Sequence, residues 1–162
     1  MENLLLALQH SALGEWLNAS RNVAIALQIL HILFFTAVLA VVIVLTLAIF
    51  KVLFRDRPVE ELAHGLRGYY RGTLAIALIA GFLQSLPRLA AYSNNSPFVA
   101  KQLFLVTAIV LQGWLHHRLV SVVPAGEVIS SKRQLGVNES LAVLALLFWL
   151  LTAGAGRAIG FV

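Results

Sequence analysis

Between Arg21 and Lys51 the chain carries no Lys, Arg, Asp or Glu. A helix needs about 20 predominantly apolar residues to cross the hydrocarbon of a bilayer, so this stretch predicts a first span over about 22–50. Three further apolar runs predict spans over about 69–92, 98–119 and 141–162. The second is interrupted by Arg71 and Arg88, and the other two carry charged or imidazole groups towards one end. Before them, MENLLLALQHSALGEWLNAS sets leucines against Gln9, His10, Glu15 and Asn18 at helical spacing and places Trp16 near the first span. That pattern fits a helix lying in the membrane interface over 1–20. A cleaved leader is the competing reading, but Glu2 rather than a basic residue precedes the leucines. The expected fold is all-α: an integral membrane four-helix bundle over 21–162, a single membrane domain behind an N-terminal interfacial amphipathic helix. The segment SVVPAGEVISSKRQLGVNES, Ser121 to Ser140, is rich in breakers and reads as a mobile connector.

Composition strengthens that picture. Of 162 residues, 60% are hydrophobic and only 12% charged, about half the charged share of a soluble domain, and the mean hydropathy is +0.88. The principal partner is the lipid bilayer. Lys51, Arg55, Arg57, Arg67 and Arg71 surround the first connection between spans and Arg118, Lys132 and Arg133 the third, against Arg21, Arg88, Lys101 and Arg157 on the other side. The positive-inside rule then turns both termini outward. Basic loops beside anionic lipid account for the net charge of +5 without a nucleic acid partner.

Polar groups inside the spans are the candidates for chemistry, because ionisable side chains at membrane depth are costly to keep. His31 stands alone in LQILHILFF. Counting outward from Phe50 to His31 and from Leu119 to Lys101 gives about 28 Å on each helix at 1.5 Å per residue, so the two lie at one level towards the outer face. Arg88 and Arg157, near the outward ends of the second and fourth spans, are expected to join them. At 100° per residue, Lys101, Leu105, Ala108, Gln112 and His116 share one stripe, as do Gln28, His31 and Phe35. Two polar stripes in lipid-embedded helices should face each other. His117 is turned away from the first stripe and is expected to cap or snorkel. His116 lies about 22 Å along the axis from Lys101, too far to share a small centre with His31. Its partner would be His64, in a second site near the inner face.

One imidazole surrounded by cations fits haem b. Neutral imidazole ligates iron, and Arg and Lys pair with propionates at the membrane edge. His31 is the candidate axial ligand to haem iron. Lys101 is either the second ligand, if deprotonated, or a propionate partner with Arg88 and Arg157, and His116 is a candidate for a second metal site. With no cysteine in the chain, covalent attachment through CxxCH is excluded and soft-metal ligands are few. No GxSxG, P-loop or dinucleotide fingerprint occurs. The structural alternatives are plain: His31 could bond a neighbouring helix, Lys101 could snorkel outward, Arg157 could anchor its helix, and Gly156 with Gly160 forms a GxxxG packing step.

The segments LGEWLNASRNVAIALQILHIL, LPRLAAYSNNSPFVAKQLFLVTAIVLQGWLHHR and LLFWLLTAGAGRAIGFV together resemble a family of small bacterial four-helix inner-membrane proteins whose biochemical role is not established. Its recurring first-helix His, Lys after an Asn-x-x-Phe turn, His ending the third helix and near-terminal Gly-Arg match His31, Lys101, His116, and Gly156 with Arg157. The resemblance implies a bacterial inner membrane, in which the outward termini expected from the charge count would be periplasmic. More distantly, ALQILHI and VAKQLFL are similar to features of the HemJ protoporphyrinogen oxidases and of CopD-like copper-resistance membrane proteins. The first implies haem or porphyrin held by His31 near Lys101, although the third-span histidine comes later here. The second implies copper handling. The expectation is a membrane protein that binds haem b or a porphyrin and serves electron transfer, in a homo-oligomer or a larger membrane redox complex. A porphyrinogen oxidase, copper or small-solute transport, and a structural assembly subunit are the alternatives.

Overall fold

The computed structural model describes residues 2–121 and 132–159. They form α1 (Glu2–Gln9), α2 (Ala12–Ala19), α3 (Arg21–Ile49), α4 (Val59–Ser85), a 3₁₀ turn (Leu86–Arg88), α5 (Leu89–Ser93), α6 (Ser96–Ser121) and α7 (Lys132–Ala158). The molecule is an all-α four-helix bundle, and α3, α4, α6 and α7 are each long and apolar enough to cross a membrane. At 29 residues, α3 is about 43 Å long, more than the about 30 Å hydrocarbon thickness requires.

Two helices differ from the expected bounds. α4 starts at Val59 rather than near residue 69, because Pro58 leads into an acidic first turn, Glu60 and Glu61, that complements the helix N-terminus. Val59, Leu62, Ala63, Leu66 and Tyr70 then form an inward stripe, so Arg67, expected outside the span, joins Arg71 within the helix. The segment expected as a connector up to Ser140 is helical from Lys132 onward. Its remainder, 122–131, lies outside the described residues, as does Gly160.

Helix ends have local causes. α3 closes on a Schellman arrangement: Val52 N–H donates to the Leu47 carbonyl and Lys51 N–H to that of Ala48, with Lys51 itself at φ 55°. Asn95 starts α6 by accepting from the Phe98 N–H at 2.9 Å. At the N-terminus a single interfacial helix was expected, and two short ones form instead. Ser11 breaks the run and caps α2 by accepting from Gly14 N–H. Gly14 is buried at that corner, where a Cβ would collide with the Gln9 carbonyl. α1 and α2 pack against the 86–93 turn, where Gln9 Oε1 accepts from Ala90 N–H.

The bundle consists of two closely packed pairs, α3 with α4 and α6 with α7, that touch each other less extensively. Small residues let the backbones approach: Ala63, Ala77, Ala80, Ala108, Ala142 and Ala145 are all buried. This is the expected means of association in lipid, where tail and side chain are equally apolar. Large apolar side chains such as Ile29, Leu33, Ile79, Leu103 and Val110 face outward. On α3, burial is confined to Val38 and beyond. The core therefore fills the half of the bundle nearest the α3–α4 connection, hereafter the connection end. The opposite half, hereafter the terminal end, lies beneath α1 and α2.

Candidate functional site

The terminal half holds a cavity of about 850 Å³ between the two helix pairs, within the roughly 300–1,000 Å³ typical of small-molecule and cofactor pockets. Every long helix contributes to its wall: His31 and Phe35 from α3, Ala77 and Gly81 from α4, Lys101 and Leu105 from α6, Trp149 and Arg157 from α7. Tyr92 and Phe98, stacked at 5.2 Å, close it from the 86–98 segment. Exposed Ile32 and Phe82 also line it, so it communicates with the flank of the bundle.

His31 is held in one orientation. Its Nδ1 lies 2.8 Å from the carbonyl oxygen of Ala77 on α4. A carbonyl only accepts, so Nδ1 carries the proton and donates, and in the neutral ring Nε2 keeps the lone pair. The ring rests on Gly81, one turn further along α4, where an ideal Cβ would lie 2.8 Å from Cε1 and 2.9 Å from Nδ1. Only a residue without a side chain admits the imidazole there. Lys101 has a comparable seat on the other pair. Its half-buried side chain runs over Gly156 of α7, with Cε 3.5 Å and Nζ 3.8 Å from an ideal Cβ at that glycine, so this glycine contacts a lysine stem.

The buried threonines need nothing from the cavity: Thr46, Thr73 and Thr152 each donate to a carbonyl one turn back in their own helix. Among the described residues four other buried polar atoms have no partner, namely Trp149 Nε1, Tyr70 OH, Gln112 Oε1 and His116 Nε2. Trp149 is fully buried and lines the cavity. An unsatisfied buried donor costs about 1–3 kcal/mol, which a hydrogen-bond acceptor within the cavity would recover.

The other three lie towards the connection end, around a second and smaller pocket of about 170 Å³ lined by Arg67, Tyr70, Arg71, Gly113, His116 and His117. His116 stacks on Tyr70 at 5.1 Å. Its Nδ1 is 3.1 Å from the Gln112 carbonyl oxygen and 3.2 Å from the Gln112 side-chain nitrogen. An amide nitrogen only donates and a carbonyl only accepts, so the two contacts cannot share one protonation state of Nδ1. The backbone carbonyl is fixed while the side-chain amide can turn its oxygen towards the ring, which puts the proton on Nδ1 and leaves the lone pair on Nε2.

The stripe Lys101, Leu105, Ala108, Gln112 and His116 does face the interior, with Ala108, Gln112 and His116 buried, and His31, Lys101 and Arg157 line one cavity. Two expected members are elsewhere. Arg88 is exposed and does not line the cavity, because α4 stops at Ser85 ahead of Pro87 and Arg88 belongs to the following 3₁₀ turn. His64 is exposed and absent from the wall of the small pocket. His64 lies on the exposed face of α4 three residues before Arg67, and Tyr70 takes the place beside His116. His117, expected to turn away, lines the rim of that pocket. Trp149, Gly81 and Tyr70 escaped the sequence reading, since WLL, AGF and GYYR look like ordinary membrane-helix composition until the facing helix is known. Among the described residues no three His, Cys, Asp or Glu side chains gather as a metal-binding group. Comparison of the chain with protein-family models, with curated proteins and with solved structures returns no match.

Proposed function

We propose that this chain is a bacterial inner-membrane protein, both termini outward, that holds haem b or a related porphyrin in the large cavity and serves electron transfer within an oligomer or larger redox assembly. The observation that carries the reading is the oriented His31. Its Nδ1–H is committed to the Ala77 carbonyl, its Nε2 has no partner among the described residues, and it borders a cavity of cofactor size. Such a bond from the distal ring nitrogen is the usual support of a ligating imidazole, fixing the tautomer and raising basicity.

The residues present fit the group. A tetrapyrrole brings four nitrogen donors of its own, so a single protein imidazole suffices where a bare copper or zinc ion needs several ligands. Lys101 and Arg157, both on the cavity wall, offer two cations for two propionates, and Trp149 adds an indole N–H. Phe35, packed edge-on against Trp149 at 5.6 Å, would supply apolar surface to such a group. Bound haem would supply a one-electron iron couple whose potential the axial imidazole and the low polarity of the wall set.

The test is the visible spectrum of the detergent-purified protein before and after dithionite, with added haemin where the protein is colourless. A Soret band that shifts on reduction and is lost in His31→Ala is expected. Pure protein that stays colourless and takes up no haemin would overturn the reading. Turnover of an added porphyrinogen would transfer the same cavity to an oxidase role.

A further inference from the structure

The small pocket at the connection end is a separate site, and its chemistry does not depend on what occupies the large one. Arg67 and Arg71 are spaced i, i+4 on α4, an arrangement of like charges that weakens an isolated helix. Both act electrostatically on His116. Among the described residues no carboxylate lines the pocket, and neither arginine makes an ion pair or a hydrogen bond. Tyr70 and His116, each more than nine-tenths buried, line the same pocket with a hydroxyl and a ring nitrogen that have no partner among the described residues. Burial of such groups beside two cations is costly unless something completes them.

We infer that this pocket binds a phosphomonoester-type oxyanion that keeps one proton, either free hydrogen phosphate or the headgroup of a monoester lipid. The donors are the two guanidinium groups, whose planar forks match phosphate oxygens, and the Tyr70 hydroxyl. The acceptor is His116 Nε2. Because the Gln112 carbonyl holds the proton on Nδ1, the neutral ring presents a lone pair, and a lone pair recognises a P–OH. An unprotonated oxyanion such as sulfate, or the diester phosphate of an ordinary phospholipid, satisfies the arginines and the tyrosine but meets that lone pair with another. The location agrees: the strongly apolar run of α4 begins just after Arg71 and that of α6 ends just before His116. This places the pocket at headgroup depth, and its exposed rim, Arg71, Gly113 and His117, opens it to the flank.

The test uses the full-length protein. In a nonionic detergent, calorimetric titration compares inorganic phosphate with sulfate at neutral pH. In phosphatidylcholine nanodiscs doped with phosphatidic acid or phosphatidylglycerol, native mass spectrometry compares the lipids retained. At least about a tenfold preference for phosphate over sulfate is expected if the free ion is the ligand, or for phosphatidic acid over phosphatidylglycerol if the source is lipid, the size of one hydrogen bond to a charged group. The double variant Arg67→Gln, Arg71→Gln should lose the preferred ligand by about tenfold or more, and Tyr70→Phe by about threefold or more. Arg55→Gln, outside the pocket, serves as the control. Absence of binding in both wild-type arms overturns the inference, as does equal affinity for phosphate and sulfate together with equal retention of the two lipids. A double variant of wild-type helicity that binds as the wild type does would overturn it too. If a variant does not fold, the wild-type selectivity decides alone.

Discussion

The imidazole of His31 occupies the space that a side chain at Gly81 would need. A Cβ there would stand 2.8 Å from Cε1 and 2.9 Å from Nδ1, closer than packed carbon and nitrogen atoms approach. In an ordinary helix interior Gly→Ala stabilises by about 1 kcal/mol. At Gly81 it must instead move the ring and break the bond to Ala77, a loss of about 1–3 kcal/mol when the carbonyl is left unsatisfied. Gly81→Ala is therefore expected to be less stable than Gly72→Ala, where a Cβ meets nothing within 4 Å, and to take up haemin at least tenfold more weakly by Soret titration. Equal stability and equal uptake in the two variants would show that the ring does not depend on this seat.

Lys101 and Gly156 give a graded contrast. An ideal Cβ at Gly156 meets the lysine stem at 3.5 Å and beyond, an ordinary contact, so Gly156→Ala should be tolerated while Gly156→Leu displaces the stem. Lys101→Met keeps most of the hydrocarbon and removes only the charge. Its expected effect is weaker binding of haemin by about fivefold to tenfold, as one charge-assisted bond is lost, with the Soret maximum unmoved. A shifted maximum would make Lys101 an axial ligand rather than a propionate partner.

Trp149 separates packing from recognition. It is fully buried and its N–H has no partner among the described residues. Trp149→Phe removes an unsatisfied donor, worth about 1–3 kcal/mol when buried, while leaving a small void. The two effects oppose each other, so its thermal stability should lie close to wild type. Trp149→Ala, by contrast, should cost about 3–5 kcal/mol. Haemin affinity should nevertheless fall in Trp149→Phe if the indole serves a bound group. Unchanged affinity would make the residue a packing element alone.

The spans were legible because their signal is additive: each apolar residue over about 20 positions adds to the same conclusion. The level shared by His31 and Lys101 was legible too, since helical rise is constant. The start of α4 was not, because its first turns carry Glu60, Glu61, His64 and Arg67 and so look like a loop to a search for unbroken hydrophobicity, although Val59, Leu62, Ala63, Leu66 and Tyr70 repeat at helical spacing. Arg88 was misplaced for a related reason. Pro87 ends the helix before it, and counting along an uninterrupted helix overlooked the break.

By itself the sequence determined the number of long apolar helices and the level shared by His31 and Lys101, because these depend on composition and on distance along unbroken helices. Only the tertiary structure decided which helices pair, and hence which glycine receives which side chain. Gly81 and Gly156 are identical in sequence terms to Gly72 and Gly154, where a Cβ meets nothing within 4 Å. The first two face a neighbour's histidine and lysine across helix interfaces. The structure likewise decided that Tyr70, not His64, stands beside His116, and that the terminal half of the bundle holds a cavity while the connection half holds the core. Those outcomes depend on the angles between helices, which are set by the summed shapes of many side chains and are not written at any single position.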